Sequence, residues 1–335
     1  IGDAAVPTRP ATARALPVPL SLPSMESETV EDLPTGPGWL YEPKHDGFRC
    51  LAFRNGESVR LQSRRQKPLE RFFPELAAGL GALAVERFVL DGEIVILGAP
   101  FDTLQLRLHP AASRIAKLAQ EHPAVLIAFD LLADENGRSL LETPFEERRA
   151  ALERMMKAAG RSPVLRLSTA TRSAATARSW LGREGLDGIM AKRLDLPYRP
   201  GERAMLKFKQ WKTVDCVVGG LYWKEGTRRV DSLLLGLYDE DGRLNYVGRA
   251  RAGADGAALT ARLTPLIGGE GFTGRAPGVK NRWSGRERQP VPLRPVLVAE
   301  VSADHITGDY MRHGARLLRW RDDKAPESCT MDQIR

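Results

Sequence analysis

The chain has little cysteine and no long apolar segment. Its 335 residues include three cysteines, Cys50, Cys216 and Cys329, which lie far apart and form no C-x-x-C pair. This spacing excludes a disulfide scaffold or a cysteine-based zinc ribbon, and it suits a reducing cytosol. No run approaches the roughly 18 uninterrupted apolar residues of a membrane-spanning helix, so we expect no membrane partner.

Several signatures of common enzyme classes are also missing. The chain has no G-x-x-x-x-G-K-[ST] element, which argues against a P-loop NTPase, and its five histidines show no metal-ligand spacing. The one G-x-G-x-x-G, Gly269–Gly274, follows a predicted helix instead of a strand, so we interpret it as a glycine-rich loop. No signal peptide is visible, which predicts a cytoplasmic (nucleoid) protein, and because Ile1 is not Met we expect a longer product.

The balance of charge favours a polyanionic partner. Fifty Lys and Arg against 42 Asp and Glu give a formal net charge of +8, although solubility alone can explain such an excess. The segment from Arg275 to Arg294 contains one acidic residue, Glu287, and one tryptophan, Trp283. This loop suits non-specific phosphate contacts, or is merely soluble. Its six basic residues are Arg275, Lys280, Arg282, Arg286, Arg288 and Arg294.

The chain length and the change in predicted secondary structure along the chain indicate an α+β protein with two domains. Residues 1–37 hold seven of the 23 prolines and little apolar periodicity, which predicts an extended arm that packs loosely if at all. Residues 38–212 mix strand and helix patterns. Residues 213–335 are nearly all β, with five short strands around one helix, which indicates a small OB-type β-barrel.

Two local signals define elements of the first domain. Asn55-Gly56 lies between two β-rich runs and predicts a hairpin with a type I′ turn. Thr143-Pro144-Phe145-Glu146 has the form of a capping box with proline at the first helical position, and Gly160 ends the predicted helix.

The strongest chemical signal is the segment from Glu42 to Arg49, which contains K-x-D-G-x-R starting at Lys44. A lysine becomes a nucleophile when it is desolvated or lies beside other cations. Taken alone, the motif is also consistent with a solvated lysine beside a glycine turn.

Four further strand-like segments carry charged side chains. Asp91 and Glu93 lie at i and i+2, on one face of an apolar strand, where acids are costly unless they are paired or bind a metal. Each segment alone could be a solvated strand face. Together they supply hard acids for Mg²⁺ and cations for phosphate, as phosphoryl transfer requires. The other segments are Phe129-Asp130, Asp187–Lys192 and Lys207-Phe208-Lys209.

In this order, these segments and Ser63-Arg64 resemble the nucleotidyltransferase motifs of ATP-dependent DNA ligases. Arg321-Asp322-Asp323-Lys324 is similar to the R-x-D-K signature that closes their OB domain. The resemblance covers roughly residues 20 to 335 and is greatest to small stand-alone bacterial ligases akin to the ligase module of the end-joining ligase-polymerase. It implies a nucleotidyltransferase (adenylation) domain with antiparallel and mixed sheets, followed by an OB-fold β-barrel.

The resemblance also implies a role for each matching residue. Lys44 would be adenylated by ATP and would pass AMP to nicked duplex DNA, with Mg²⁺ or Mn²⁺ as cofactor. Two positions depart from the family pattern, because Asp187 more often is Glu and Met205 often is Trp. The implied roles are adenine selection by Glu42, stacking by Phe129, ribose and phosphate binding by Arg49 and Arg64, metal support by Glu93 and Asp187, α-phosphate neutralisation by Lys192, Lys207 and Lys209, pyrophosphate contact by Lys324, and nucleotide binding by Arg203 and Arg321.

We therefore predict a monomeric ATP-dependent DNA ligase that functions in repair, with repair or end-joining proteins as further partners. The alternatives are an mRNA-capping-type guanylyltransferase, an RNA ligase, or a catalytically silent nucleic-acid-binding protein. Covalent labelling with ATP or with GTP would distinguish a ligase from a guanylyltransferase. A test for a covalent adenylate would distinguish it from a silent binding protein.

Overall fold

The computed structural model describes residues 15–183, 185–209, 211–278, 288–304, 306–307, 309–311 and 314–334. The architecture is α+β, as predicted. The chain divides into two compact units, Ile1–Lys209 and Gln210–Arg335, so the division falls slightly before the boundary expected after residue 212. Within the described ranges, no helix is long and apolar enough to cross a membrane.

The first unit contains nine strands and five helices among its described residues. The strands are β1 (Glu26–Val30), β2 (Trp39–His45), β3 (Phe48–Asn55), β4 (Ser58–Ser63), β5 (Arg87–Val95), β6 (Val125–Ala133), β7 (Leu165–Leu167), β8 (Leu186–Arg193) and β9 (Arg203–Phe208). The helices are α1 (Pro74–Gly81), α2 (Phe101–Gln105), α3 (Ala112–Glu121), α4 (Phe145–Ala159) and α5 (Ala174–Arg178).

These strands form two sheets. One has the order β4-β3-β5-β6-β7 and is antiparallel except at β7, and the other has the order β1-β9-β8-β2 with β1 parallel to β9. Apolar residues of β3, β5 and β6 pack against the helices in the largest core of the unit, where α1 contributes Leu76 and Leu80 and α4 contributes Leu152 and Met155.

The predicted hairpin is present, but its turn differs from the expectation. β3 and β4 pair antiparallel from Cys50 opposite Ser63 to Asn55 opposite Ser58. The two-residue loop is therefore Gly56-Glu57, and Asn55 stays in the strand. Gly56 has φ of 62°, which suits glycine at the first central position of a two-residue loop.

The prediction of a loosely packed arm is wrong for the described part of residues 1–37. Val18, Leu22 and Met25 are buried in a core with Phe53 and Val89. β1 also pairs with β9 along the edge of the four-stranded sheet. The segment is held by irregularly spaced apolar side chains and by the pairing of an edge strand. Neither feature produces a periodic sequence pattern, which is why the packing was not predicted. The prediction for residues 1–14 falls outside the described residues.

The capping box was also an incorrect expectation. α4 begins at Phe145 after Pro144, and no side chain caps it. Instead, the amides of Phe145 and Glu146 donate to the carbonyls of Leu196 and Leu194, each at 2.9 Å. A neighbouring extended segment thus satisfies the free amides of the first turn. Gly160 ends the helix with φ of 73°, as predicted.

The described part of the second unit contains a six-stranded sheet, a two-stranded sheet and one α-helix. Its elements are β10 (Lys212–Trp223), β11 (Val230–Tyr238), β12 (Leu244–Arg251), α6 (Gly256–Leu263), β13 (Val291–Pro292), β14 (Val298–Ala303), β15 (Ile306–Thr307), β16 (Tyr310–Met311) and β17 (Arg316–Trp320). Five strands of the larger sheet follow the order β12-β11-β10-β14-β17, β13 pairs with β10, and β15 pairs with β16. A bridge joins Ala250 to Ala315, whose amide donates to the carbonyl of Arg249 at 2.7 Å. This link draws the ends of the larger sheet together, as in a partly open OB barrel.

Candidate active site

The K-x-D-G-x-R segment lies where the two sheets of the first unit meet. β2 belongs to the four-stranded sheet and β3 to the five-stranded sheet, and only Asp46-Gly47 separates them. A Cβ atom on Gly47 would overlap the carbonyl oxygen of Ile94. Glycine is therefore required for this close passage, and it leaves Lys44 at the junction of the sheets.

A cavity of about 500 Å³ opens beside Lys44. Its volume lies within the usual range for small-molecule sites. Met25 and the strand that follows it, β1, form one wall, to which β1 contributes residues such as Thr29. The N-terminal segment therefore helps to build the site. Predicted site residues that line the cavity are Glu42, Lys44, Arg49, Arg64, Glu93, Phe129, Lys192, Arg203 and Lys207.

Lys44 is held by a carboxylate that it shares with a second lysine. Its Nζ lies 2.5 Å from Oδ2 of Asp187, and Nζ of Lys209 lies 3.0 Å from the same oxygen. Burial alone raises the pKa of Asp187, but the two ammonium groups outweigh burial and hold the pKa below its ordinary value. Asp187 is therefore an ionised counter-ion beside the predicted nucleophile.

Lys207 adds another cation to this side of the cavity. Burial, with further contributions from Lys209 and Lys44, lowers the pKa of Lys207 below its ordinary value. Lysines that repel each other in this way are relieved by an anion. The positions are suited to the charge of a triphosphate.

Glu93 is the carboxylate best suited to a metal ion. Burial raises its pKa to about 7, against the attraction of Arg49 and Lys44. In the described part of the chain it forms no ion pair, and no group of three His, Cys, Asp or Glu side chains there could hold a metal. Mg²⁺ usually takes one or two carboxylates together with phosphate and water. Glu93 fits that pattern, whereas Asp187 already contacts two lysines.

Arg49 is oriented by a buried network at the base of the cavity. Its Nε and Nη2 donate to the two oxygens of Asp91 at 2.5 and 2.6 Å, and Tyr198 donates its hydroxyl to Oδ2 of Asp91 at 2.6 Å. The Arg49 guanidinium lies 4.6 Å from the centre of the Phe129 ring. The network fixes the plane of Arg49 and places its charge against the predicted base-stacking residue.

Glu42 lies deeper and contacts two cations. Arg149 Nη1 donates to its Oε1 at 2.7 Å, and Nζ of Lys192 lies 2.6 Å from its Oε2. Lys192 also sits 4.2 Å above the ring centre of Phe129. The structure thus places Lys192 with the predicted adenine-binding residues, whereas we expected it beside Lys207 and Lys209 at the α-phosphate.

The R-x-D-K residues of the second unit converge on one acid. Arg321 Nη1 contacts both oxygens of Asp215 at 3.0 and 3.1 Å, and Lys324 Nζ donates to Oδ2 of Asp215 at 2.8 Å. Arg321 also forms a two-point pair with Asp323 at 2.9 Å. β10 therefore supplies the counter-ion that holds both predicted nucleotide contacts.

The basic loop is described only at its ends. Arg275 donates to the carbonyls of Tyr246 and Asp309, and Arg288 contacts the carbonyl of Trp223 and the carboxylate of Asp231. These two arginines therefore fasten the loop to its own unit. The predicted phosphate contacts of Lys280, Arg282 and Arg286, and Trp283 beside them, lie outside the described residues.

Sequence reasoning missed three residues that hold the predicted ones. Asp215 carries the signal that identified Asp91, an acid inside an apolar strand. Tyr198 and Arg149 carry no such signal, because each contacts a partner 107 residues away in the chain. An arginine on an amphipathic helix ordinarily predicts a solvated face.

Comparison with known proteins gives a consistent assignment. The family model of the ATP-dependent DNA ligase domain matches residues 24–209, and that of the ATP-dependent DNA ligase C-terminal region matches residues 226–324. DNA ligase C2 of Mycolicibacterium smegmatis is 44% identical, over 95% of this chain and 96% of the relative. DNA ligase C of Mycobacterium tuberculosis is 41% identical, over 95% of each. A solved structure of a Lig E DNA ligase has a TM-score of 0.59 at 16% identity, covering 89% of this chain and 99% of its own, and shows a shared fold alone.

A two-unit chain with a lysine-bearing nucleotide cavity followed by an OB fold has the architecture of a covalent nucleotidyltransferase. The chain belongs to the family of ATP-dependent DNA ligases. This membership confirms the resemblance inferred from the ordered motifs, and ATP is the nucleotide that the family uses.

Proposed function

We propose that the chain seals nicks in duplex DNA in three steps, with Lys44 as the covalent nucleophile. The Lys44 amine attacks the α-phosphorus of ATP, the bond to the bridging oxygen breaks, and pyrophosphate leaves while the nitrogen loses its proton. The AMP then passes to the 5′-phosphate of the nick and frees Lys44. Finally the 3′-hydroxyl attacks that phosphorus, and AMP leaves as the phosphodiester forms. Dividing the reaction into transfers lowers each barrier.

The observation that carries this proposal is the position of Lys44. Its amine lines the cavity, and the contact with Asp187 at 2.5 Å fixes where it points. Each step is an in-line displacement at phosphorus, so the site needs alignment and positive charge more than acid–base groups. Lys207 and Lys209 supply that charge at the phosphate end.

The remaining residues of the cavity would bind either the adenosine part of ATP or the metal ion. Glu42 would accept from the adenine amine, Phe129 would stack on the ring, and Arg49 would contact ribose or phosphate, with Arg64 and Arg203 at the mouth of the cavity. Glu93 would hold Mg²⁺, and we retain Asp187 as a supporting acid. When bound, the metal ion neutralises charge on the phosphate oxygens.

The second unit would contribute in two ways. During the first step Lys324 would contact the departing pyrophosphate and Arg321 the nucleotide. The basic loop between Arg275 and Arg294 would bind duplex phosphates without reading sequence. We propose a monomer that works on chromosomal DNA in the cytoplasm, where a nick-sealing activity serves repair.

The direct test is the mass of the intact protein after incubation with ATP and Mg²⁺. We expect the wild type to gain the mass of AMP and Lys44→Ala to gain none. Lys157→Ala, which removes an exposed lysine on α4, is the matched control and should react like the wild type. An adduct of normal yield in Lys44→Ala would exclude Lys44 as the nucleophile.

A second measurement separates the alternatives. Sealing of a nicked DNA duplex should follow ATP and not GTP, whereas a guanylyltransferase would form its adduct with GTP. A substrate with RNA strands at the nick should be sealed poorly if DNA is the substrate. Adduct formation without sealing of any nick would contradict the proposed overall reaction.

A further inference from the structure

Arg149 ties helix α4 to the strand that carries the nucleophile. The arginine is buried, and each of its three donor nitrogens has a partner. Nη1 contacts Glu42, Nη2 donates to the carbonyl of Ser168 at 2.7 Å, and Nε donates to Glu153 at 2.9 Å. The guanidinium is thereby fixed in plane and direction.

The helix that bears Arg149 is itself anchored. Arg148, the preceding residue, donates from Nε and Nη2 to the two oxygens of Asp130 at 2.8 and 2.9 Å. Both side chains are fully buried. Asp130 follows Phe129 on β6, so α4 holds the strand of the stacking residue with one arginine and Glu42 with the next.

Glu42 is confined on both oxygens. Its side chain is 2% exposed, with Arg149 on Oε1 and Lys192 on Oε2. Lys192 offers Glu42 one ammonium group without directional constraint, whereas Arg149 is a planar donor held by two other partners. The direction of the carboxylate therefore depends mainly on Arg149.

We propose that Arg149 is the positioning residue that makes the site select adenine. This inference rests on the proposed function, in which Glu42 meets the purine. An ionised carboxylate only accepts hydrogen bonds. It can therefore receive the C6 amine of adenine, but it faces an unfavourable acceptor in the C6 carbonyl of hypoxanthine or guanine. The discrimination requires that the carboxylate cannot turn away, and Arg149 prevents that rotation.

The lining of the cavity supports this arrangement. Glu42, Lys44 and Phe129 all line it, and the pairing of β2 with β8 is irregular between Pro43 and His45, beside Lys44. A nucleotide with its α-phosphate at Lys44 can therefore direct its purine toward Glu42 and Phe129.

The test compares adduct formation from ATP and from inosine triphosphate, which differs at C6. The ratio of their second-order rate constants does not depend on the active fraction of a preparation. We expect Arg149→Gln to lower that selectivity at least about tenfold, because a polar group that can turn away no longer penalises the wrong base. Arg149→Lys should lie between this variant and the wild type.

Arg154→Gln is the matched control, since it makes the same change at an exposed arginine of the same helix. It should keep the wild-type selectivity. If Arg149→Gln does not fold, Arg149→Lys alone decides the question by the same ratio. The proposal is overturned if the Arg149 variants lower the rate constants for ATP and for inosine triphosphate by the same factor. Failure of the proposed function is distinct, because the wild type would then form no adduct.

Discussion

The hydroxyl of Tyr198 joins the N-terminal segment to the network that orients Arg49. It donates to Asp91 at 2.6 Å and accepts from the amide of Met25 at 2.8 Å, and both bonds are buried. Tyr198→Phe removes this one oxygen and keeps the ring. The amide of Met25 then loses its acceptor, and Asp91 keeps only the donors of Arg49.

The size of the effect follows from the unmet hydrogen bonds. A buried polar group left without a partner costs about 1–3 kcal/mol, so we expect a loss of roughly 2 kcal/mol. In a unit of this size each kcal/mol corresponds to about 2–4 °C, which predicts a fall of roughly 4–8 °C in Tm. This loss of stability exceeds the effect of an ordinary surface substitution, which is usually within about 0.5 kcal/mol.

Calorimetry and hydrogen exchange test this prediction together. The transition of the first unit should move down, and the Met25 amide should exchange faster. Tyr238→Phe is the control in the second unit, where the tyrosine hydroxyl has no hydrogen-bond partner among the described residues; its effect should stay within about 0.5 kcal/mol. An unchanged Tm together with unchanged exchange at Met25 would show that the network contributes nothing to stability.

Three further predictions concern charge. The pKa of Glu93 is raised to about 7 from 4.5, so the stability that its protonated form provides is lost as pH rises through 7. In EDTA, the difference between the urea midpoint of Glu93→Gln and that of the wild type should therefore increase from about pH 5 to about pH 8. An equal difference at both pH values would contradict this prediction. Lys324→Ala should impair adduct formation from ATP and largely spare sealing of pre-adenylated nicked DNA; equal impairment would place Lys324 in the later steps. Asp215→Asn should show the same division, because it removes the charge that holds Lys324 and one of the acids that hold Arg321; normal self-adenylation would refute the role of Asp215.

The order of the motifs and most side chains of the cavity can be predicted from the amino-acid sequence alone. Residues at i and i+2 share one face of a strand, so the pairs Asp91/Glu93 and Lys207/Lys209 can be recognised without any structure. The hairpin after Arg49 and the all-β second unit follow from equally local patterns. Such features depend on neighbours in the chain, which the sequence displays directly.

The partner of each charged side chain, by contrast, depends on long-range contacts in the folded chain. Glu42 meets Arg149, and Asp91 meets Tyr198, across 107 residues of chain. The N-terminal segment joins the edge of a sheet through backbone bonds that any side chains could accompany. These contacts depend on how two sheets and a helix come together, and a long-range hydrogen bond leaves no periodic trace in the residues that make it.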